Sequence, residues 1–183
     1  MEKVNNVKKL TRASMLLLFA LIITFTGARF GGATFNSFFV GPLINAVILT
    51  AVLVTDIKFG VLVAAATPVL AALTGQLAAP MVPFAPFVMA ANIICAVAFG
   101  ICIKINEAYG KYIGIAAGAI LKTAFLMIAV KYLISAFSLN MPQPVMTKLI
   151  SVMSYPQFFT AVAGGIIALI FSPLLNKANK SVL

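Results

Sequence analysis

Lys122 is the residue whose chemistry most needs an account. It stands ten residues into the apolar stretch Tyr112 to Phe137, which is long enough to cross a bilayer as one helix. That depth is ~15 Å of helical rise, near the midplane of a ~30 Å hydrocarbon core. A charge there costs roughly 2.5–3.5 kcal/mol on insertion scales, and snorkelling from such a depth is hard. Two readings remain. The ammonium is held by carbonyls or polar side chains of neighbouring helices, or it lines a ligand cavity. No carboxylate falls in any apolar segment, so on the second reading its counter-charge comes from an anionic or electron-rich group on a ligand. At 100° per residue, Phe125, Leu126 and Ala129 share its face and would make the adjoining wall aromatic and aliphatic.

Other polar residues in apolar surroundings are amides. Asn92 lies one to two turns into the fourth expected helix, and Gln157 at the start of the sixth. Such groups serve as interhelical glue, worth about 0.6 kcal/mol each on average, or as hydrogen-bonding groups of a pocket. Asn45 and Gln76 are weaker candidates of the same kind. Arg29, beside the pair Gly31-Gly32, either clamps an anion at the outer mouth or anchors a helix end. Tyr155, with Phe158 and Phe159, suits an interfacial belt or stacking on a flat ligand. Lys131, about 180° around the helix from Lys122, reads as a lysine snorkelling to the interface.

The chemistry that is missing narrows the field. The chain has no histidine, and its three acids are Glu2, Asp56 and Glu107. Metal ligation and carboxylate acid/base catalysis therefore lack raw material; neither an enzyme nor a cofactor is expected. Cys95 and Cys102 are about 10 Å apart along one helix, too far for a disulfide, and read as small apolar residues.

The elements that must position these groups are helices in a membrane. Of the 183 residues 63% are hydrophobic and 9% charged, far from the roughly 25% charge of a soluble domain. The N-terminal Lys8-Lys9-Leu10-Thr11-Arg12 and the apolar run after it imitate a signal peptide. The run is long for one, however, and Gly27-Ala28-Arg29 is a poor cleavage site, so the segment is read as a retained helix.

The expected fold is an all-α polytopic membrane protein, a single six-helix domain over 1–183. Its transmembrane helices fall near 13–28, 38–55, 59–77, 87–105, 112–137 and 156–175, and residues 1–12 form a tail. Gly31-Gly32 permit a turn or re-entrant loop. Pro68 should kink the third helix and free a carbonyl. The uncharged Ala79 to Pro86, with three prolines, is too apolar for a solvated loop and is expected to fold back over the bundle mouth. A polar connection from Ser138 to Tyr155 precedes the sixth helix, where Ala161, Gly164, Gly165 and Ala168 let a neighbour approach closely.

Six spans put both termini on one side, and the charges sort accordingly. Lys3, Lys8, Lys9, Arg12, Lys58, Lys104, Lys111, Lys177 and Lys180, nine of the thirteen basic residues, fall there with all three acids. The positive-inside rule then places both termini in the cytoplasm. The net charge of +10 reports orientation in the lipid bilayer, and no nucleic-acid partner is expected.

These segments resemble, in order, the substrate-binding (S) components of energy-coupling factor (ECF) vitamin transporters. The likeness rests on Lys9-Leu10-Thr11 before the first helix, Gly41-Pro42-Leu43-Ile44-Asn45-Ala46, Pro86-Phe87 leading to Ala91-Asn92, and Leu121-Lys122. It ends with Pro156-Gln157-Phe158-Phe159-Thr160-Ala161 leading to Gly164-Gly165. The resemblance implies a plasma-membrane protein that captures a vitamin-like small-molecule substrate from outside. It would dock on a transmembrane coupling subunit driven by two cytosolic ATPases. The pocket would be formed mainly by helices 4 to 6 and the outward loops, with Asn92, Lys122 and Gln157 on pocket-forming helices and Gly31-Gly32 as the mobile gate. Members that share an energising module show two alanines four apart on the first helix; here the spacing gives Ala13 with Leu17, or Leu16 with Ala20. The competing function is a stand-alone secondary transporter or channel. Against it stands the lack of any intramembrane Asp, Glu or His for proton or sodium coupling.

Overall fold

Backbone amides in hydrocarbon have no water to bond and are satisfied only in helices or closed barrels; uninterrupted apolar runs, without the two-residue alternation of barrel strands, select helix. The computed structural model describes residues 2–32, 35–77, 79–133, 147 and 150–180, and among them there is no strand. Six α-helices run in order: α1 (Glu2–Phe30), α2 (Gly41–Val54), α3 (Ile57–Leu73), α4 (Ala85–Ile105), α5 (Gly110–Ile128) and α6 (Tyr155–Lys180). A π-helical turn, Asn36–Val40, leads into α2, a second, Ala129–Leu133, continues α5, and a 3-10 turn, Ala79–Phe84, precedes α4. The expected end of the fifth helix at 134–137 and most of the connection from Ser138 to Tyr155, Lys148 included, lie outside the described residues.

Among the described residues, four stretches are long and apolar enough to cross a membrane: Val4–Phe30, Met81–Ile105, Gly110–Tyr132 and Ile150–Leu175. Phe38–Val54 and Ile57–Leu73 are shorter apolar helices; the 17 residues of α3 rise ~26 Å. The chain is a multi-pass membrane protein.

Local sequence explains the helix ends. α1 continues through the basic tail instead of starting at Ala13, because two of the tail's cations find partners. Lys9 Nζ lies 2.9 Å from Asp56 Oδ2, and Arg12 donates to the carbonyl of Val54 at 3.0 Å. Asp56 is also the N-cap of α3, accepting from the Phe59 N–H at 3.1 Å, which satisfies one of the orphan donors of that helix. Partial burial acts to raise the Asp56 carboxyl, but the Lys9 hydrogen bond and charge, with the Phe59 and Lys58 amides, outweigh it and hold it below its ordinary value. At the other end of α3, Gly75 adopts φ 77°. This left-handed position stops the helix at Leu73, short of the expected Leu77.

Two apolar cores result. The larger joins Ala13, Leu16 and Ala20 of α1 to α2, α3 and the Cys95–Phe99 face of α4. Ala13, Leu16 and Ala20 are thus buried within the chain. The smaller core lies at the opposite end from Asp56: Met81 and Phe84 pack with Ala91, Leu126, Val130 and Met153. The proline-rich segment does fold inward, with Phe84 fully buried. Glycines set the closest approaches. A Cβ at Gly164 would stand 2.5 Å from the Cβ of Asn45 and 2.6 Å from the carbonyl oxygen of Pro42, so α6 rests directly on α2. Gly114 and Gly118 likewise seat α5 against Phe99 and Cys95 of α4.

Candidate functional site

The proline inside α3 begins the construction of the site. Pro68 has no N–H, so the carbonyl four residues earlier, on Ala64, loses its helical donor. The Thr67 hydroxyl donates to that carbonyl at 3.1 Å, and in turn accepts from Asn92 Nδ2 of α4 at 3.3 Å. A backbone defect in one helix thereby fixes an amide on the next. Asn92 and Thr67 are both buried.

A second amide is fixed on α2, where Asn45 Nδ2 donates to the Gly41 carbonyl at 2.9 Å. Its Oδ1 accepts from Lys122 Nζ at 2.7 Å. This is a charge-assisted bond spanning 77 residues of sequence, and it carries the ammonium of α5 across to α2. Lys122 is only 3% exposed. An ammonium has three N–H donors, and among the described residues Asn45 is its one hydrogen-bond partner.

These groups surround a cavity of about 170 Å³. Asn45, Thr67, Asn92 and Lys122 line it at the level of the helix interiors, with Thr24 of α1 and Thr160 of α6. Asn36, Gln76 and Gln157 line it where helices end or begin. Val40, Ile44, Val88, Val152 and Met153 supply apolar wall. All six helices contribute described residues to this lining. Lys122 is the only formally charged side chain among the described lining residues, and none of them is aromatic.

Of the residues singled out from sequence, the structure brings Lys122, Asn92 and Gln157 together on this cavity. Gln157 is held by its Nε2, which donates to the Val152 carbonyl at 3.2 Å. Asn45 and Gln76, ranked lower, line it as well. Phe125 packs on the smaller core and is not among the described lining residues of the cavity, none of which is aromatic. Arg29 stands 5.4 Å over the Phe25 ring, and Tyr155 is 72% exposed; neither lines the cavity. Gly31 donates its N–H to the Gly27 carbonyl, and Gly32 accepts from the Asn36 N–H at 3.0 Å. Lys131 is exposed, 5.3 Å from the Tyr132 ring.

Sequence reasoning missed Thr67, Thr24, Thr160 and Asn36. The Thr67-Pro68 pair was the available signal for Thr67, since a hydroxyl just before a helix-interior proline is placed to serve the freed carbonyl. Asn36 had no such signal, because its place depends on the end of α1 packing against the turn that leads into α2.

Among the described lining residues the arrangement offers one cation, several amides and hydroxyls, and no carboxylate or histidine. These groups are suited to charge and hydrogen bonding. Comparison with known proteins agrees with a binding role. A family described as "ECF transporter, substrate-specific component" matches residues 8–175. No curated protein and no solved structure shows a significant match to the chain.

Proposed function

The chain belongs to the substrate-specific components of ECF transporters, and from that membership we propose that it captures a small, vitamin-like, anionic or acceptor-rich molecule from outside the cell. Both termini face the cytoplasm of a plasma-membrane bundle, as the one-sided basic residues favour. Uptake is powered by a transmembrane coupling subunit and two cytosolic ATPases.

One observation carries the substrate reading: a buried ammonium borders the cavity with a single neutral acceptor, Asn45, among the described residues. Asn45 leaves its charge uncompensated, and an incoming anion supplies what the protein does not. The cavity is of a size to suit a small solute. A 150 Å³ apolar cavity takes up benzene, and this one, at about 170 Å³, is a little larger and sets a few polar groups in a mostly apolar wall. Asn36, Gln76 and Gln157 line it at the end opposite Asp56 and Lys9, hence at the outer side on the proposed topology.

The test is retention of substrate. The full chain is incubated with a whole-cell extract, purified in mild detergent and analysed by native mass spectrometry, beside Lys122→Gln. The wild-type chain should carry a small-molecule adduct that Lys122→Gln lacks, with both proteins folded by circular dichroism. A chain that retains no compound, or retains the same one without Lys122, would refute the assignment.

A further inference from the structure

Among the described residues, Asn36 is the one lining residue with a buried side-chain atom that has no hydrogen-bond partner. Its backbone is committed: the N–H donates to the Gly32 carbonyl at 3.0 Å, and the carbonyl accepts from the Gly41 N–H. Its Oδ1 is buried and has no hydrogen-bond partner among the described residues. The position is not accidental crowding. Two glycines at the end of α1 make the room, since a Cβ at Gly27 or at Gly31 would stand 2.8 Å from that oxygen. Asn36 also lines the cavity. Buried acceptors are nearly always paired, and an occupant of the cavity that Asn36 lines is placed to supply the donor.

Lys122 presents the complementary demand. It offers N–H donors and one positive charge, and among the described lining residues there is neither a second cation nor a carboxylate. One negative charge on the ligand balances the site. A phosphate monoester, at about −1.5 to −2 near pH 7, would leave charge uncompensated in a closed space.

We propose that the substrate is a monocarboxylate that also carries an N–H or O–H donor, its carboxylate read by Lys122 beside Asn45 and its donor read by Asn36. This rests on the reading that the cavity is the substrate site, and it makes Asn36 a specificity-determining residue. The two ends make opposite demands, so a molecule with acceptors alone, or with donors alone, satisfies one of them and leaves the other unpaired.

The probe is the compound released by denaturing the purified, extract-loaded full chain, characterised by mass spectrometry. Methyl esterification should add one methyl group, counting a single carboxyl. Exchange in heavy water should reveal at least one labile hydrogen beyond the carboxyl proton. Rebinding of the isolated compound to Asn36→Leu should be at least tenfold weaker than to the wild-type chain. The ligand-free thermal midpoint of Asn36→Leu should not fall, because the lost oxygen had no internal bond. A retained, Lys122-dependent compound with no carboxyl group or two, or with no extra labile hydrogen, overturns this inference while leaving the transport assignment standing. So does wild-type affinity in Asn36→Leu. Failure to retain any compound, or retention without Lys122, strikes the transport assignment itself and this inference with it.

Discussion

The bond between Lys122 and Asn45 should behave as a strongly coupled pair, and its worth follows from burial. Both residues are almost fully buried, at 3% and 4% exposure, and the bond is 2.7 Å long. Asn45→Leu removes the acceptor and leaves a buried ammonium without one. A hydrogen bond to a charged group is worth ~1.5–3 kcal/mol, and stripping a buried charge of its partner costs up to ~5 kcal/mol. A loss of about 2–3 kcal/mol is therefore expected, which for a chain of this length lowers the thermal midpoint by ~4–12 °C. Lys122→Met removes the charge and its desolvation cost, leaving only a neutral carbonyl oxygen unpaired, so its effect on the ligand-free protein should be small. In that background Asn45→Leu should cost well under 1 kcal/mol, because no charge is left stranded. The chain has no tryptophan, but Cys95 is a free thiol buried in the larger core. A thiol-reactive fluorogenic dye therefore reports unfolding in detergent. Coupling of ~1.5–3 kcal/mol across the double-mutant cycle is the expected result. If the two substitutions add to within ~0.5 kcal/mol, the ammonium is not held by Asn45 and the geometry of the site is wrong.

Two further predictions concern the frame around the site. Gly164→Ala should destabilise by ~1–3 kcal/mol through overpacking, because the new Cβ would meet Asn45, the Pro42 carbonyl and the Ala46 amide at 2.5–2.8 Å. Gly32→Ala, with nothing within 4 Å of its Cβ, should stay within ~0.5 kcal/mol of wild type in the same dye assay; equal effects at both positions would contradict the packing of α6 on α2. The Lys9–Asp56 pair should make stability depend on pH in the acid range. The Asp56 carboxyl lies below its ordinary value of 3.8 when folded, so its charge contributes above that value and is lost as pH falls through the lower, folded one. Asp56→Asn keeps a helix cap, so its deficit at pH 7 should reflect the half-exposed ion pair, at most ~1 kcal/mol, and should close toward pH 3. A deficit that is the same at both pH values would mean that the charge does not contribute.

What could be read from the chain alone follows a physical divide. Helix existence was legible because long apolar runs without the alternation of barrel strands can satisfy their amides in hydrocarbon only as helix, and a lysine ten residues into an apolar run announces itself by its cost. Neighbours across helices were not legible. Lys122 was given an aromatic wall from the face it shares with Phe125, yet Asn45, 77 residues away in sequence, receives its ammonium, and Phe125 turns to the smaller core. A helical wheel fixes which residues share a face; it says nothing of which helix that face meets. That choice was made by Gly164, where the missing side chain brings α6 onto Pro42 and Asn45, and by Gly114 and Gly118, which seat α5 on α4. The small residues looked like mere spacing in the sequence. They set the depth at which each polar group arrives, and so decide that an ammonium, five carboxamides and three threonine hydroxyls line one cavity instead of being scattered along six helices.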